Sequence, residues 1–167
     1  RFGISHSIER IEAYDNSSFG NNYAVSSYVV FNEDGFSIKD SRTYKFKDYD
    51  LKKFGDADLM RKVFEARFSK DDKILPDIMI IDGGKPYLKI CKEIIEKNGI
   101  KEDIFLIGVS KGFKRDFRFD RYHTPKERNI SLREVPQIEG FIQKMRDKAH
   151  NLSKKNSMKR MSDSLKT

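Results

Sequence analysis

Residues 75–85 read Leu75-Pro76-Asp77-Ile78-Met79-Ile80-Ile81-Asp82-Gly83-Gly84-Lys85. The apolar run from Ile78 to Ile81 is unbroken, which is typical of a strand buried on both faces of a parallel sheet. Asp82 and the two glycines after it end that strand. A carboxylate in this place lies at the carboxyl edge of the sheet, where open α/β sheets bind their ligands. The motif therefore predicts an α/β fold and a ligand site next to Asp82.

Upstream of this motif the chain has the pattern of β-strands. Residues 8–14, 23–31 and 41–47 alternate apolar and polar side chains or are rich in β-branched and aromatic residues, and both patterns favour strands. A turn sequence at residues 32–35 follows the second strand. The polar residues 16–22 are expected to form the loop between the first two strands. This part of the chain therefore predicts a three-stranded antiparallel meander.

Downstream, the apolar period changes to that of helices. The predicted elements are helices over residues 56–68, 87–97 and 138–152, a buried strand over 104–109, and a short hairpin within the basic segment 113–133. Buried strands joined through helices imply right-handed crossovers in a covered sheet. The order predicts an α/β, ribonuclease H-like fold. Its mixed five-stranded sheet has three antiparallel strands followed by parallel βα units, and helices flank it. Residues 1–153 are expected to form one domain, and 154–167 a basic, flexible tail.

The composition limits the class of protein. The chain has 167 residues, 34 of them Lys or Arg and 26 Asp or Glu, with a formal net charge of +8, and such basicity favours a polyanionic partner. A single cysteine, Cys91, excludes an internal disulfide and a cysteine-rich zinc site. No stretch approaches the roughly 18 apolar residues of a membrane span, so we expect a cytoplasmic protein. A start at Arg1 is expected of a fragment of a longer chain.

Two acids occur where a buried carboxylate is costly. Asp15 is expected at the end of the first strand, and Asp82 ends the most buried one. If these strands are neighbours, the two carboxylates converge, and like charges held close repel unless a cation neutralises them. Hard oxygen ligands of this kind suit Mg²⁺ or Mn²⁺. Each acid also has a structural interpretation, Asp15 as a capping residue and Asp82 as a turn residue, and residues 82–85 could instead cradle a phosphate.

A third group of polar side chains lies on the last predicted helix. Arg146 and His150 are four residues apart and share a helix face, and Asp147 is three residues from His150. A histidine beside an apolar face is usually structural, but it can also bind a metal or transfer protons. Asp56 fits a helix cap better than a ligand. The remaining two histidines have no partner pattern and are expected on the surface: His6 and His123.

Three motifs together resemble the C-terminal endonuclease domain of the UvrC family, which belongs to the bacterial nucleotide-excision nuclease. Residues 11–17 follow the family pattern Ile-Glu-x-Phe-Asp-Ile-Ser. Residues 75–85 follow Leu-Pro-Asp-φ-φ-φ-Ile-Asp-Gly-Gly-Lys, where φ is apolar, and residues 143–150 follow Gln-x-Ile-Arg-Asp-Glu-Ala-His. The motifs occur in the family's order. The resemblance implies a ribonuclease H-like fold, in agreement with the predicted order of strands and helices.

The resemblance also implies roles for individual side chains. Asp15, Asp82 and His150 match the family's catalytic set of two Asp and one His, and they are expected to hold Mg²⁺ or Mn²⁺, with His150 as a ligand or as an acid/base. Asp56 matches a further acidic position that we count as catalytic. Contacts to DNA phosphate are expected from basic residues near the site: Lys85, Lys111 and Arg146.

The implied reaction is hydrolysis of a phosphodiester on the 5′ side of a lesion in damaged double-stranded DNA. It belongs to nucleotide excision repair and the SOS response, with UvrB on DNA as the partner and a helix-hairpin-helix module expected after the tail. Two alternatives stay open: a non-catalytic DNA-binding scaffold, and another ribonuclease H-like nuclease. The sequence departs from the family pattern at Asn16, in the loop 114–128, and at Ser157 and Met158. Contacts to DNA from the loop and the tail are therefore unassigned.

Overall fold

The computed structural model describes residues 4–19, 23–47, 51–69, 74–111, 120–127 and 129–165. In chain order its elements are β1 (Arg10–Phe19), β2 (Tyr23–Asn32), β3 (Gly35–Lys47), α1 (Leu51–Phe68), β4 (Ile78–Asp82), α2 (Lys85–Lys97), β5 (Phe105–Ser110), β6 (Arg121–His123) and α3 (Pro136–Leu165). The strands of this part of the chain form one mixed sheet in the order β3-β2-β1-β4-β5-β6. The predicted α/β architecture is confirmed, with an antiparallel β1-β2-β3 meander and β4 and β5 parallel to β1.

In the described residues the sheet has six strands rather than the predicted five, because β6 pairs antiparallel with β5. With three residues, β6 is too short to give a periodic signal. An isolated bridge between Tyr122 and Ile130 confirms the predicted hairpin in this region. Of the unassigned loop 114–128, residues 114–119 and 128 lie outside the described residues.

β1 is longer than predicted, and this changes the place of Asp15. The strand pairs with β2 through to Phe19, so residues 16–19 are strand and not the predicted loop. Residues 16–18 are polar and show no apolar alternation, but the ladder to β2 satisfies the backbone groups of this stretch. Pairing with β4 stops earlier, at Tyr14 opposite Ile81. Asp15 therefore lies inside β1, at the point where that strand extends beyond its parallel neighbour.

Helices cover both faces of the sheet, which fixes the direction of each side chain. Tyr14 and Ile81 point into the core cluster that α1 and α2 form on one face. Ala13 and Ile80 point into the second cluster, where Met145 of α3 packs. Because side chains alternate along a strand, Asp15 and Asp82 both lie on the α3 face.

α3 runs on through the segment that was expected to be a flexible tail. The helix was predicted over residues 138–152, but it continues to Leu165. Ser153 and Ser157 are buried, and Asn156 Nδ2 donates to Thr43 Oγ1 of β3 at 3.1 Å. The segment is too polar for an apolar stripe to reveal it, because it packs on the polar extension of the meander. The expectation of a structureless tail is corrected through Leu165.

Candidate active site at the carboxyl edge of the sheet

Asp15 and Asp82 come from adjacent parallel strands and open into one pocket. The pocket has a volume of about 180 Å³. Its lining is mostly charged and comes from β1, β4, the end of β5 and α3: Tyr14, Asp15, Asp82, Lys111, Arg146, Asp147 and His150. The structure thus places the two predicted carboxylates on the same face of the sheet, as their convergence requires. It also brings Arg146 and His150 to them from α3.

The ionised form of Asp15 is disfavoured in this place. Its pKa is raised, first because the carboxyl is buried and then because the charge of Asp82 is near; His150 and a hydrogen bond from Ser153 offset part of this. A carboxylate that must be charged here requires a further positive charge. A positive charge placed beside Asp15 would therefore stabilise its ionised form.

His150 lies at the border between the helix core and solvent. Its Nδ1 is 3.4 Å from Asp15 Oδ2, and its side chain is 60% exposed. The preceding residue, Ala149, lies with Met145 on the buried side of α3. The apolar stripe anchors the helix, while the next position presents the imidazole to Asp15. A histidine that is paired with a carboxylate and open to solvent can exchange protons with bound water or substrate.

Arg146 is held between two carboxylates. Its Nη2 donates to Asp82 Oδ1 at 2.8 Å, and its Nη1 donates to Asp120 Oδ2 at 2.8 Å. Burial alone would lower the pKa of Arg146, but the charges and hydrogen bonds of Asp82 and Asp120 outweigh it and raise the pKa. The guanidinium is therefore a fixed positive charge on the wall of the pocket.

Asp120 was not among the predicted residues. It is buried, and besides Arg146 it accepts a hydrogen bond from Gln143 Nε2 at 2.8 Å. Gln143 Nε2 also donates to the hydroxyl of Tyr122 at 3.1 Å. Asp120 sits just before the short strand β6, in a segment without periodicity. A sequence signal for Asp120 exists only on α3. Gln143 and Arg146 are three residues apart on one helix face, and their donor groups require an acceptor from elsewhere in the chain.

The other predicted residues take different places. Lys111 is exposed and lines the pocket. Lys85 begins α2 and lines a separate groove. Asp56 follows Gly55, whose φ of +67° interrupts α1, and it is exposed and is not part of the pocket lining. After burial, the charges of Asp56 and then Asp82 raise the pKa of Tyr87, so Asp56 lies near the same edge but on the α1 side.

The prediction that His123 is a surface residue is wrong. Its side chain is buried, because β6 joins the sheet and carries it inward. His123 Nε2 is 2.7 Å from Ser110 Oγ, and its Nδ1 accepts from the Asn129 N–H at 3.2 Å. The same prediction is confirmed for His6, which is exposed and lies 3.5 Å from Asp77.

The carboxylates suit a hard divalent ion that keeps much of its water. Among the described residues, no group of three or more His, Cys, Asp and Glu side chains is arranged to hold a metal. Magnesium does not need such a group, because one or two carboxylates with several waters form its usual protein site. The donor set of Asp15 and Asp82 therefore fits Mg²⁺ or Mn²⁺ better than zinc.

Comparison with known proteins gives matches along most of the chain. The family model of the UvrC RNase H endonuclease domain matches residues 1–153. The UvrABC system protein C of Ruegeria sp. (strain TM1040) is 34% identical over 160 residues, covering 91% of this chain and 25% of that protein. The protein of the same name from Rhodospirillum rubrum is 32% identical over 160 residues, again covering 91% of this chain and 25% of that protein. The chain thus spans about a quarter of the length of these curated relatives.

Solved structures give weaker matches. Endonuclease V of Ciona intestinalis, in complex with a 24mer DNA containing an inosine, is 17% identical with a TM-score of 0.42. The match covers 82% of this chain and 57% of that one. Human endonuclease V is 16% identical with a TM-score of 0.39, covering 62% and 46%.

Proposed function

Because the chain belongs to the UvrC RNase H endonuclease domain family, we propose that it is a metal-dependent endonuclease that hydrolyses one strand of damaged DNA on the 5′ side of the lesion. The family membership gives the ribonuclease H-like fold and the endonuclease class. One observation carries the site: Asp15 and Asp82 share a pocket with His150 and Arg146. These residues come from three separate elements, β1, β4 and α3.

Asp15 and Asp82 are the residues that would hold Mg²⁺ or Mn²⁺. Burial and the charge of Asp82 disfavour ionised Asp15, so a bound cation would relieve the repulsion between the two carboxylates. When bound, such an ion polarises the scissile phosphate and lowers the pKa of a coordinated water. His150 already faces Asp15 through Nδ1, and we assign it to proton transfer rather than to the metal.

The remaining side chains bind and orient the substrate. In the hydrolysis, a water oxygen bonds to phosphorus as the P–O bond to the leaving nucleotide breaks; the water gives up a proton to solvent, and the leaving oxygen takes one up. Asp15 holds the His150 ring and stabilises it when it carries that proton. Arg146, fixed by Asp120, presents positive charge to the reacting phosphate. Lys111, which is exposed, adds a second positive charge to the pocket lining.

The wider biological role is carried over from the family. The relatives named UvrABC system protein C are about four times as long as the matched segment. Damaged double-stranded DNA as substrate, UvrB as partner, the 5′ position of the cut and a cytoplasmic location are therefore proposals that rest on that resemblance. Among the described residues, no helix is long and apolar enough to cross a membrane.

A nicking assay tests the proposal. The chain is incubated with a lesion-bearing duplex or an RNA–DNA hybrid of the same sequence, with Mn²⁺ or with a chelator. We expect the duplex to be nicked only with Mn²⁺, and the hybrid to be spared. Preferential cutting of the hybrid would identify another ribonuclease H-like nuclease. DNA binding with no cutting of either substrate would identify a non-catalytic scaffold.

A further inference from the structure

A second, larger concavity lies on the opposite face of the sheet from the catalytic pocket. It has a volume of about 660 Å³ and runs between α2 and the segment that follows β6. One wall comes from α2 and the other from β6 and the residues after it: Lys85, Pro86, Leu88, Lys89 and Lys92, then His123, Pro125 and Asn129. Nothing in the proposed chemistry uses this groove.

The groove is positively charged. Among the described residues, its lining includes three lysines and no carboxylate. Lys92 Nζ lies 3.8 Å from Glu96 Oε1, but both side chains are mostly exposed, so this pair is weak and easily exchanged. His123 is engaged inside the protein, where its Nδ1 accepts the Asn129 N–H and its Nε2 contacts Ser110 Oγ. In the described lining, the formal positive charge is that of Lys85, Lys89 and Lys92.

The lysines are spaced to follow a phosphate backbone. They occupy positions i, i+4 and i+7 of α2, which share one helix face. At 1.5 Å per residue, Lys85 and Lys92 are about 10 Å apart along the helix axis. A DNA strand carries one phosphate per roughly 3.4 Å of duplex axis, so the row spans about three phosphates.

The groove and the catalytic pocket meet the same edge of the sheet. Lys85 follows Asp82 after two glycines, at the carboxyl end of β4. Ser110, which contacts His123 of the groove wall, is the last residue of β5, and the next residue, Lys111, lines the catalytic pocket. A strand that passes through the pocket can therefore continue over the ends of β4 and β5 onto α2.

We propose that this groove binds the phosphate backbone of the DNA beyond the scissile bond, through Lys85, Lys89 and Lys92. The inference rests on the proposed function for the identity of its ligand. It adds a second contact surface, on the α2 face, that holds DNA independently of sequence. It also assigns part of the affinity to residues that do not line the catalytic pocket.

The test measures how DNA affinity depends on salt. Binding of a fluorescein-labelled duplex to the chain is followed by anisotropy across a series of KCl concentrations, with EDTA present so that no cutting occurs. The variant is Lys89→Ala with Lys92→Ala. Its matched control is Lys39→Ala with Lys101→Ala, which removes the same charge from exposed residues outside the groove.

We expect the variant to weaken binding and to reduce the slope of log K against log salt by about 1.8, since each lost phosphate contact contributes about 0.9. The control should keep the wild-type slope. A variant slope equal to that of the control would overturn the proposal that the groove binds DNA, whether or not the chain nicks DNA. If the slope falls but the chain never nicks DNA, the result would support DNA binding by the groove and refute the proposed nuclease activity. All four lysines are exposed, so unfolding midpoints should match the wild type.

Discussion

Two arginines hold carboxylates of the sheet from opposite sides, and their surroundings differ. On the α1 face, Arg67 Nη2 contacts Glu12 Oε1 at 2.7 Å, with side chains 1% and 0% exposed. On the α3 face, Arg146 Nη2 contacts Asp82 Oδ1 at 2.8 Å, with side chains 13% and 25% exposed. The chemistry of the two pairs is nearly the same. Access to solvent is what separates them.

The closed pair, Arg67 with Glu12, belongs to a network of contacts inside the protein. Glu12 also accepts hydrogen bonds from Arg10 Nε and from the Tyr14 hydroxyl. Arg67 lies over the rings of Tyr28 and Phe68, 5.7 and 5.4 Å from their centroids. No substrate can reach such a pair, so its contribution is to the stability and register of the fold.

The open pair, Arg146 with Asp82, borders a pocket that a phosphate or an ion can enter. Arg146 keeps a second, buried partner in Asp120, so Asp82 can turn toward a ligand without leaving the guanidinium unpaired. An ion pair thus becomes part of a reactive site when one partner is exposed and the other is held by a third group.

The largest effect should come from breaking the closed pair. Arg67→Met leaves the buried carboxylate of Glu12 without its main partner, and we expect a loss of about 3–5 kcal/mol in the free energy of unfolding. The control is Arg61→Met, which breaks an exposed pair with Glu93 and should cost at most about 1 kcal/mol. Urea denaturation measures both. Equal losses in the two variants would show that burial does not set the strength of these pairs.

His150→Ala tests the pocket that the open pair borders. The side chain is mostly exposed, so the variant should unfold at the wild-type urea concentration. Its single-turnover nicking rate should fall by roughly 10²-fold, as expected when proton transfer is lost. His150→Asp should recover part of the rate. A His150→Ala protein that nicks at the wild-type rate would remove this residue from the site.

Asp120→Asn should have a smaller effect on the same rate. The amide can still accept from Arg146 but no longer neutralises it, so the guanidinium turns more fully toward Asp82. We expect about a tenfold loss in nicking, equivalent to about 1.4 kcal/mol, with the maximal rate affected more than the apparent affinity for DNA. Asp147→Asn, which changes an exposed acid on the same helix, serves as the control. An unchanged nicking rate in Asp120→Asn would argue against a positioning role.

Asp15→Asn should have the smallest of these effects, a slight gain in stability. The pKa of Asp15 is raised by burial and by Asp82, so its ionisation opposes folding. That cost appears as the pH rises through the unfolded value of about 3.9 and is complete above the folded one. The variant should therefore gain stability at neutral pH, by less than about 1 kcal/mol, and gain nothing in acid.

The matched control for Asp15→Asn is Glu12→Gln on the same strand. It should lower stability, because Arg67 loses the charge that compensates its own burial. Urea midpoints of both variants at neutral and acidic pH measure the difference. A loss of stability in Asp15→Asn at neutral pH would show that its carboxylate, like that of Glu12, is structural.

Sequence and structure agree where a residue belongs to a periodic element. Asp82 follows an unbroken apolar strand and His150 follows the apolar stripe of a helix, so their places could be predicted from spacing. Asp120 lies 23 residues before Gln143 in a segment without a period, and only the folded chain brings them together. β6 and the end of α3 were not predicted for a related reason: strand pairing and polar contacts hold them in place, rather than an apolar stripe.

The pocket at the carboxyl edge of the sheet is proposed to be a metal-dependent hydrolytic site, and Asp82→Asn tests this most directly. The measurement is the single-turnover nicking rate of the variant with saturating Mn²⁺, beside its urea denaturation curve. The substitution keeps the shape of the side chain and removes the charge that a metal requires. We predict that nicking falls to background while the unfolding midpoint stays the same or rises. Nicking at the wild-type rate would contradict a metal-dependent site at Asp82.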